Sequence, residues 1–201
     1  MPLRPTPAFA GVTLDIATIP PGEAYQRIYL SKYLDPLGFG KTPSRFSDPR
    51  RRVAANRFGV LYLGATLKVC FLEAILRDDR NGVVGDYPID ENDLRSRRVA
   101  TIAGSRPLRV VDLRGDGPVR MGIPSDVVSA SSQTLARAWS LALHDHPAQV
   151  DGILYPSRLN EQHNVAIFER AISALTCSAR VPLLRARGIA ATLEDLMVAV
   201  I

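Results

Sequence analysis

Hydrophobic and polar positions alternate from residue 25 to residue 30, with Tyr25, Arg27 and Tyr29 on one face and Gln26, Ile28 and Leu30 on the other. A period of two predicts a β-strand, here one that presents an arginine between two tyrosines. Both periods vanish over residues 37–56, where Gly, Pro, Ser and Arg predominate, so a long connecting loop is expected. Residues 60–63 are a short apolar run of the kind found in buried strands, and Thr66 is placed to cap a helix over 67–77 that is apolar nearly all round. After Gly82 and Gly85 come strand patterns at 99–102 and 108–113, the second closed by Gly115 and Gly117. Val128, Leu135, Trp139 and Leu143 recur at helical spacing and predict the longest helix over 125–143, ending before Pro147. Further strands are expected at 152–155, 165–168 and 176–184, and Thr192 opens a final helix to residue 200. Residues 1–22 carry five prolines and little periodicity, which reads as an extended N-terminal arm before a single domain over 23–201. Strands and helices do not alternate strictly, so a mixed α+β arrangement is favoured over a doubly wound parallel sheet.

Composition narrows the class. The 201 residues are 46% hydrophobic and 22% charged, enough apolar content for a core and ordinary for a folded domain. No apolar run approaches the roughly 20 residues needed to cross a bilayer, and Glu73 interrupts even the run at 69–76. Residues 1–10 contain no apolar signal core, so a cytoplasmic location is expected. Cys70 and Cys177 lie far apart among apolar residues, which predicts free buried thiols. His144, His146 and His163 give no zinc-ligand spacing with them, so no metal is expected. The net charge of +5 is carried almost wholly by arginine, since only Lys32, Lys41 and Lys68 are lysines. The planar guanidinium suits phosphate clamping, although arginine enrichment also follows from base composition.

Common nucleotide and hydrolase motifs fail. Gly38-Phe39-Gly40-Lys41-Thr42 lacks the first glycine of a phosphate loop, where Asp35 stands, and Pro43 spoils a dinucleotide fingerprint. No serine sits in a nucleophile elbow. What remains are polar residues placed where structure alone does not require them. Glu73 lies mid-helix among Val69, Cys70, Leu72, Ile75 and Leu76, where a carboxylate must be paired or used; a pair with Arg77 one turn on is the plain alternative. Arg27 could equally be an ordinary strand arginine, Ser157 a turn former after the 152–155 strand, and Tyr62 a core residue.

Taken in order, these residues resemble the RES family, named for an arginine, a glutamate and a serine. The resemblance runs from Tyr25 to about Leu175. It is carried by YQRIY with Arg27, SRFSDP at 44–49, RFGVLYLG at 57–64, TLKVCFLEAILRD at 66–78 with Glu73, and DGILYPSRLN at 151–160 with Ser157. Pro43-Ser44-Arg45-Phe46 replaces the family's common glycine-rich arginine loop, and Ile28 follows Arg27 where some members have an aromatic. The resemblance implies an ADP-ribosyltransferase-like split β core with flanking helices. It also implies a toxin that consumes NAD or transfers ADP-ribose and is neutralised by a helix-turn-helix antitoxin, through which alone it would meet nucleic acid.

Breaking the nicotinamide-ribose bond passes through an oxocarbenium-like state, for which Glu73 is the implied stabilising carboxylate. Arg27, and after it Arg45, would hold the phosphates. Tyr62 or Tyr29, with Tyr25 as a further candidate, would stack on the ring, and Ser157 would bond a ribose hydroxyl or the amide. Water, inorganic phosphate and a protein side chain are all compatible acceptors. Two other classes stay open: a nucleic-acid stripe of Arg45, Arg50, Arg51, Arg52 and Arg57, and a non-catalytic interaction protein.

Overall fold

The structure is a computed structural model that describes residues 4–51, 53–77 and 79–201. Arg52, a member of the possible arginine stripe, Asp78, the last residue of the 66–78 motif, and the first three residues of the N-terminal arm lie outside the described residues.

The described residues form ten strands: β1 Ile16–Ile19, β2 Ala24–Leu30, β3 Val60–Gly64, β4 Tyr87–Ile89, β5 Arg97–Gly104, β6 Leu108–Asp112, β7 Gly152–Pro156, β8 His163–Phe168, β9 Leu175–Pro182 and β10 Val198–Val200. Eight of them make one sheet in the order β1-β6-β7-β8-β3-β2-β5-β9, antiparallel throughout except for β6 and β7. The β2–β3 junction is held by the single pair Gln26↔Gly64, whereas β3 pairs with β8 and β2 with β5 along their whole lengths. The sheet is therefore split at β2/β3: the α+β class expected from the pattern is present, with the split β core and flanking helices that the family resemblance implied. β4 and β10 pair in parallel as a separate ribbon.

Helices cover the sheet: α1 Leu67–Phe71, α2 Glu91–Arg95, α3 Gly117–Arg120, α4 Asp126–Ser129, α5 Thr134–His144 and α6 Ile189–Asp195. Trp139 and Leu143 of α5 bury against one face with Val60, Ile153, Tyr155 and Phe168. Tyr25, Tyr29, Leu61, Leu63, Val165 and Ile167 form a second core on the other face. Cys70, Phe71, Leu72 and Leu76 pack with Ile28, Val99 and Leu183 in a third.

Several boundaries differ from the sequence pattern, each for a local reason. In its described part the stretch read as an extended arm contains a 3-10 turn, Pro7–Gly11, and the edge strand β1, and the Phe9 ring meets Trp139 edge-on at 4.9 Å. Spaced apolar anchors, rather than a periodic run, tie it down. The helix expected over 125–143 breaks into α4 and α5 where Ala130 is extended, and the serines that follow, Ser131 and Ser132, favour local bonding over helix. The expected final helix is α6 followed by β10. Met197 turns left-handed at φ 50, and the β-branched Val198 and Val200 then pair with Tyr87 and Ile89. The strand expected over 176–184 stops at Pro182, where a 3-10 turn, Leu183–Arg185, begins. Both cysteines are free; Cys70 is buried as expected, but Cys177 is only half-buried.

Candidate functional site

The split between β2 and β3 opens into a cleft of about 560 Å³, lined by β2, the 40–45 loop, β3, α1 and its continuation, and the ends of β7 and β8. That volume lies within the roughly 300–1,000 Å³ typical of small-ligand sites.

Glu73 reaches the cleft because of how α1 is seated. Thr66 caps α1, its hydroxyl accepting from the Val69 N–H at 3.2 Å and donating to Gln162 Oε1 at 2.6 Å. Gly64 lets α1 approach the sheet: a Cβ there would stand 2.7 Å from both Cys70 Sγ and Val69 Cγ1. The segment expected to continue as α-helix instead widens into a π-turn over Leu72–Leu76, closed by the Arg77 N–H donating to the Leu72 carbonyl at 2.6 Å. Such turns recur at functional sites because they re-aim one side chain without ending the helix. Arg77 leaves the turn at φ 44, a strained conformation for a non-glycine residue.

The ordinary pairing of Glu73 with Arg77 is not what forms. Arg77 Nε donates to the Glu73 backbone carbonyl at 3.2 Å, leaving the carboxylate to other partners. Glu73 Oε1 accepts from the Ser157 hydroxyl at 2.7 Å and from Asn164 Nδ2 at 3.2 Å. Ser157 is 1% exposed and does not line the cleft; it sits in the 157–162 turn, where its own Oγ also accepts from the Leu159 N–H at 3.2 Å. Ser157 thus forms the turn and bonds the Glu73 carboxylate from behind the cleft wall, and its hydroxyl is not presented to the cleft as a ligand contact would require.

The guanidinium groups are held differently. Arg27 lines the cleft from β2 and donates to the Pro36 carbonyl, and burial lowers its pKa against the opposing charge of Asp35. Arg45 donates to the Ala130 and Val127 carbonyls at 3.0 and 3.4 Å, acceptors that the break between α4 and α5 leaves available, and burial lowers its pKa also. Arg77 and Arg158 also line the cleft, so four arginines share its wall with one glutamate.

The tyrosines separate. Tyr62 lines the cleft, but its hydroxyl is occupied: it accepts from the Phe46 N–H at 2.8 Å and bonds Ser44 Oγ at 2.9 Å, and burial pushes its pKa up to about 12. Tyr29 does not reach the cleft; it is 7% exposed in the second core, with the Arg27 guanidinium 6.0 Å from its ring centroid. Tyr25 is buried beside it and donates to Glu23 at 2.9 Å. Of the arginine stripe, Arg45 faces the cleft and Arg50 is bound to Asp48, with Arg50 Nε 2.9 Å from Asp48 Oδ1.

Comparison with known proteins places this geometry. The RES domain family matches residues 22–186. The chain belongs to the RES domain family. A probable toxin, y4kH of Sinorhizobium fredii (strain NBRC 101917 / NGR234), is 39% identical over 120 residues, which is 60% of this chain and 94% of that protein. In the crystal structure of the M.tuberculosis MbcT-MbcA toxin-antitoxin complex, a chain superposes with a TM-score of 0.61 at 19% identity, over 90% of this chain and 91% of that one, a likeness of fold.

Within the RES frame, the arginine, glutamate and serine are gathered around one cleft, although only Arg27 and Glu73 line it. Sequence reasoning passed over Asn164, because the strand pattern began only at Val165 and an asparagine at a strand's start reads as a boundary. It also passed over Arg158, beside Ser157, and Gln133, in what was read as unbroken helix; both line the cleft. Among the described residues no group of three His, Cys, Asp or Glu side chains could hold a metal ion, and no helix is long and apolar enough to cross a membrane.

Proposed function

We propose that this chain is the toxin of a toxin-antitoxin pair and that it breaks the nicotinamide-ribose bond of NAD. The observation that carries the reading is a carboxylate fixed by two neutral donors on the wall of a cleft that four arginines also line. Family membership, the name of the Sinorhizobium relative and the toxin-antitoxin fold neighbour support the toxin role, with an antitoxin, of helix-turn-helix type, as partner.

Heterolysis sends the bonding electron pair to the nicotinamide nitrogen, and positive charge develops on ribose C1″. Glu73 stabilises that charge electrostatically. A water or inorganic phosphate oxygen then forms the new bond to C1″ and loses a proton, giving ADP-ribose or its 1″-phosphate. Arg27 and Arg45, which among the described residues donate to carbonyls, keep donors for the two phosphates. Tyr62, its hydroxyl already bonded, offers its ring as the flat wall for nicotinamide.

The test is incubation of the purified chain with NAD, with and without phosphate, followed by product identification. Free nicotinamide together with ADP-ribose or its 1″-phosphate is expected. A label transferred to protein without either product would replace the reading with ADP-ribosyl transfer, and unchanged NAD would sink it.

A further inference from the structure

Asn164 is a buried polar side chain, 4% exposed, that the proposed chemistry does not use directly. It stands on β8 between Gly64 of β3 and Tyr155 of β7. Gly64 contributes no side chain to that row, and a Cβ added there would come 3.3 Å from Asn164 Oδ1 as well as striking Cys70 and Val69. The same glycine thus makes room for α1 and for the Asn164 amide. Through that gap Asn164 Nδ2 reaches Glu73 Oε1 at 3.2 Å. The second donor to that oxygen, Ser157, arrives from a separate turn at 2.7 Å. Among the described residues both bonds fall on Oε1 and none on Oε2.

We infer that Asn164 is a positioning residue: with Ser157 it locks the rotation of the Glu73 carboxylate, so that Oε1 is consumed by the protein and Oε2 is the oxygen left for the reacting centre. This rests on the proposed role of Glu73. One donor would leave the carboxylate free to turn about its terminal torsion, which is broad and roughly two-fold. Two donors from different strand ends fix its plane. A misplacement on the order of 1 Å can cost about 100-fold in rate, so the lock acts on turnover and not on binding.

The experiment compares Asn164→Leu, close in volume but without a donor, and Asn164→Ala, as a smaller replacement should leucine not fold. Each is made alone and in a Glu73→Gln background, with NAD turnover, KM for NAD and melting temperature measured. The expected result is a fall in kcat of about 10- to 100-fold with KM within about twofold, and less than about twofold further loss in the Glu73→Gln background, since Asn164 acts only through that carboxylate. An equal fold-loss in both backgrounds, or a raised KM with kcat intact, would overturn the inference. A crystal structure of the same variant reads the lock without any activity. A Glu73 carboxylate turned or spread over two orientations is expected, and an unmoved, singly oriented one would overturn the assignment even if the wild-type protein cleaves NAD. If the wild type leaves NAD intact, the functional reading fails, and this structure alone decides the role of Asn164.

Discussion

The two sides of the cleft are built on opposite plans. On the acidic side, one carboxylate is gripped by a serine and an asparagine from different elements, both almost fully buried, on a helical turn that departs from α geometry to aim it. On the basic side, the hydrogen bonds of Arg27 and Arg45 among the described residues go to backbone carbonyls. A carboxylate held by neutral donors is fixed in place without being paired off against a cation, which suits a group that must meet charge developing at one atom. A guanidinium hydrogen-bonded to carbonyls is not tied up in a bidentate carboxylate pair and keeps part of its five-donor fork open, which suits recognition of an anion present throughout the reaction. Had either arginine been paired with Glu73, both properties would be lost.

This contrast orders the expected effects. Glu73→Gln preserves shape and most hydrogen bonding but removes the charge. Turnover of NAD should fall by at least about 100-fold, the scale of losing one electrostatic contact to a transition state, with little change in melting temperature. A variant that keeps wild-type turnover would erase the distinction between the two sides. If Arg27 holds a phosphate of NAD as proposed, Arg27→Ala removes a contact made in ground and transition states alike, so it should raise KM for NAD by about 10-fold or more, the range of a charge-assisted hydrogen bond of about 1.5–3 kcal/mol, and leave kcat nearly unchanged. A kcat effect with KM unaltered would move Arg27 to the catalytic side.

The smallest effect concerns the loop leading away from Arg45. Asp48 is buried and accepts from Arg50 and from the Phe58 N–H at 3.2 Å. Burial alone would raise its pKa, but these bonds, chiefly from Arg50, hold it below the ordinary value. A depressed folded-state pKa means stability that is present above the unfolded value of about 3.9 and lost as pH falls through the folded one. Wild type should therefore lose more melting temperature than Asp48→Asn on going below about pH 4. Parallel melting curves in that range would show that Asp48 contributes nothing through its charge.

The sequence made the acidic side partly legible and the basic side less so. Glu73 stood out because a carboxylate in an apolar helix demands a partner, and Ser157 because it followed a buried strand at the family's spacing. The pattern could not say that the helix widens to a π-turn, since Leu72–Leu76 is as apolar as any α-helix, nor that Arg77 would bond the Glu73 backbone and not its carboxylate. Arg45 was visible as a second arginine, but its anchors are carbonyls of a helix that had been read as continuous. Tyr62 and Tyr29 were equal candidates by type. Register separated them: Tyr62 pairs with Ala166 on the stretch of β3 beside the cleft, while Tyr29 pairs with Arg98 and turns into the second core. The α+β class followed from the order of strand and helix patterns, whereas β1, β4 and β10 escaped because three- and four-residue strands carry too little periodicity to declare themselves.

The most direct measurement is cellular NAD followed after induced expression of the chain in a bacterium lacking an antitoxin, beside Glu73→Gln expressed to the same level. NAD is expected to fall before growth stops in the first culture, and both NAD and growth should hold in the second. Growth arrest by the wild-type chain with NAD unchanged would contradict the account.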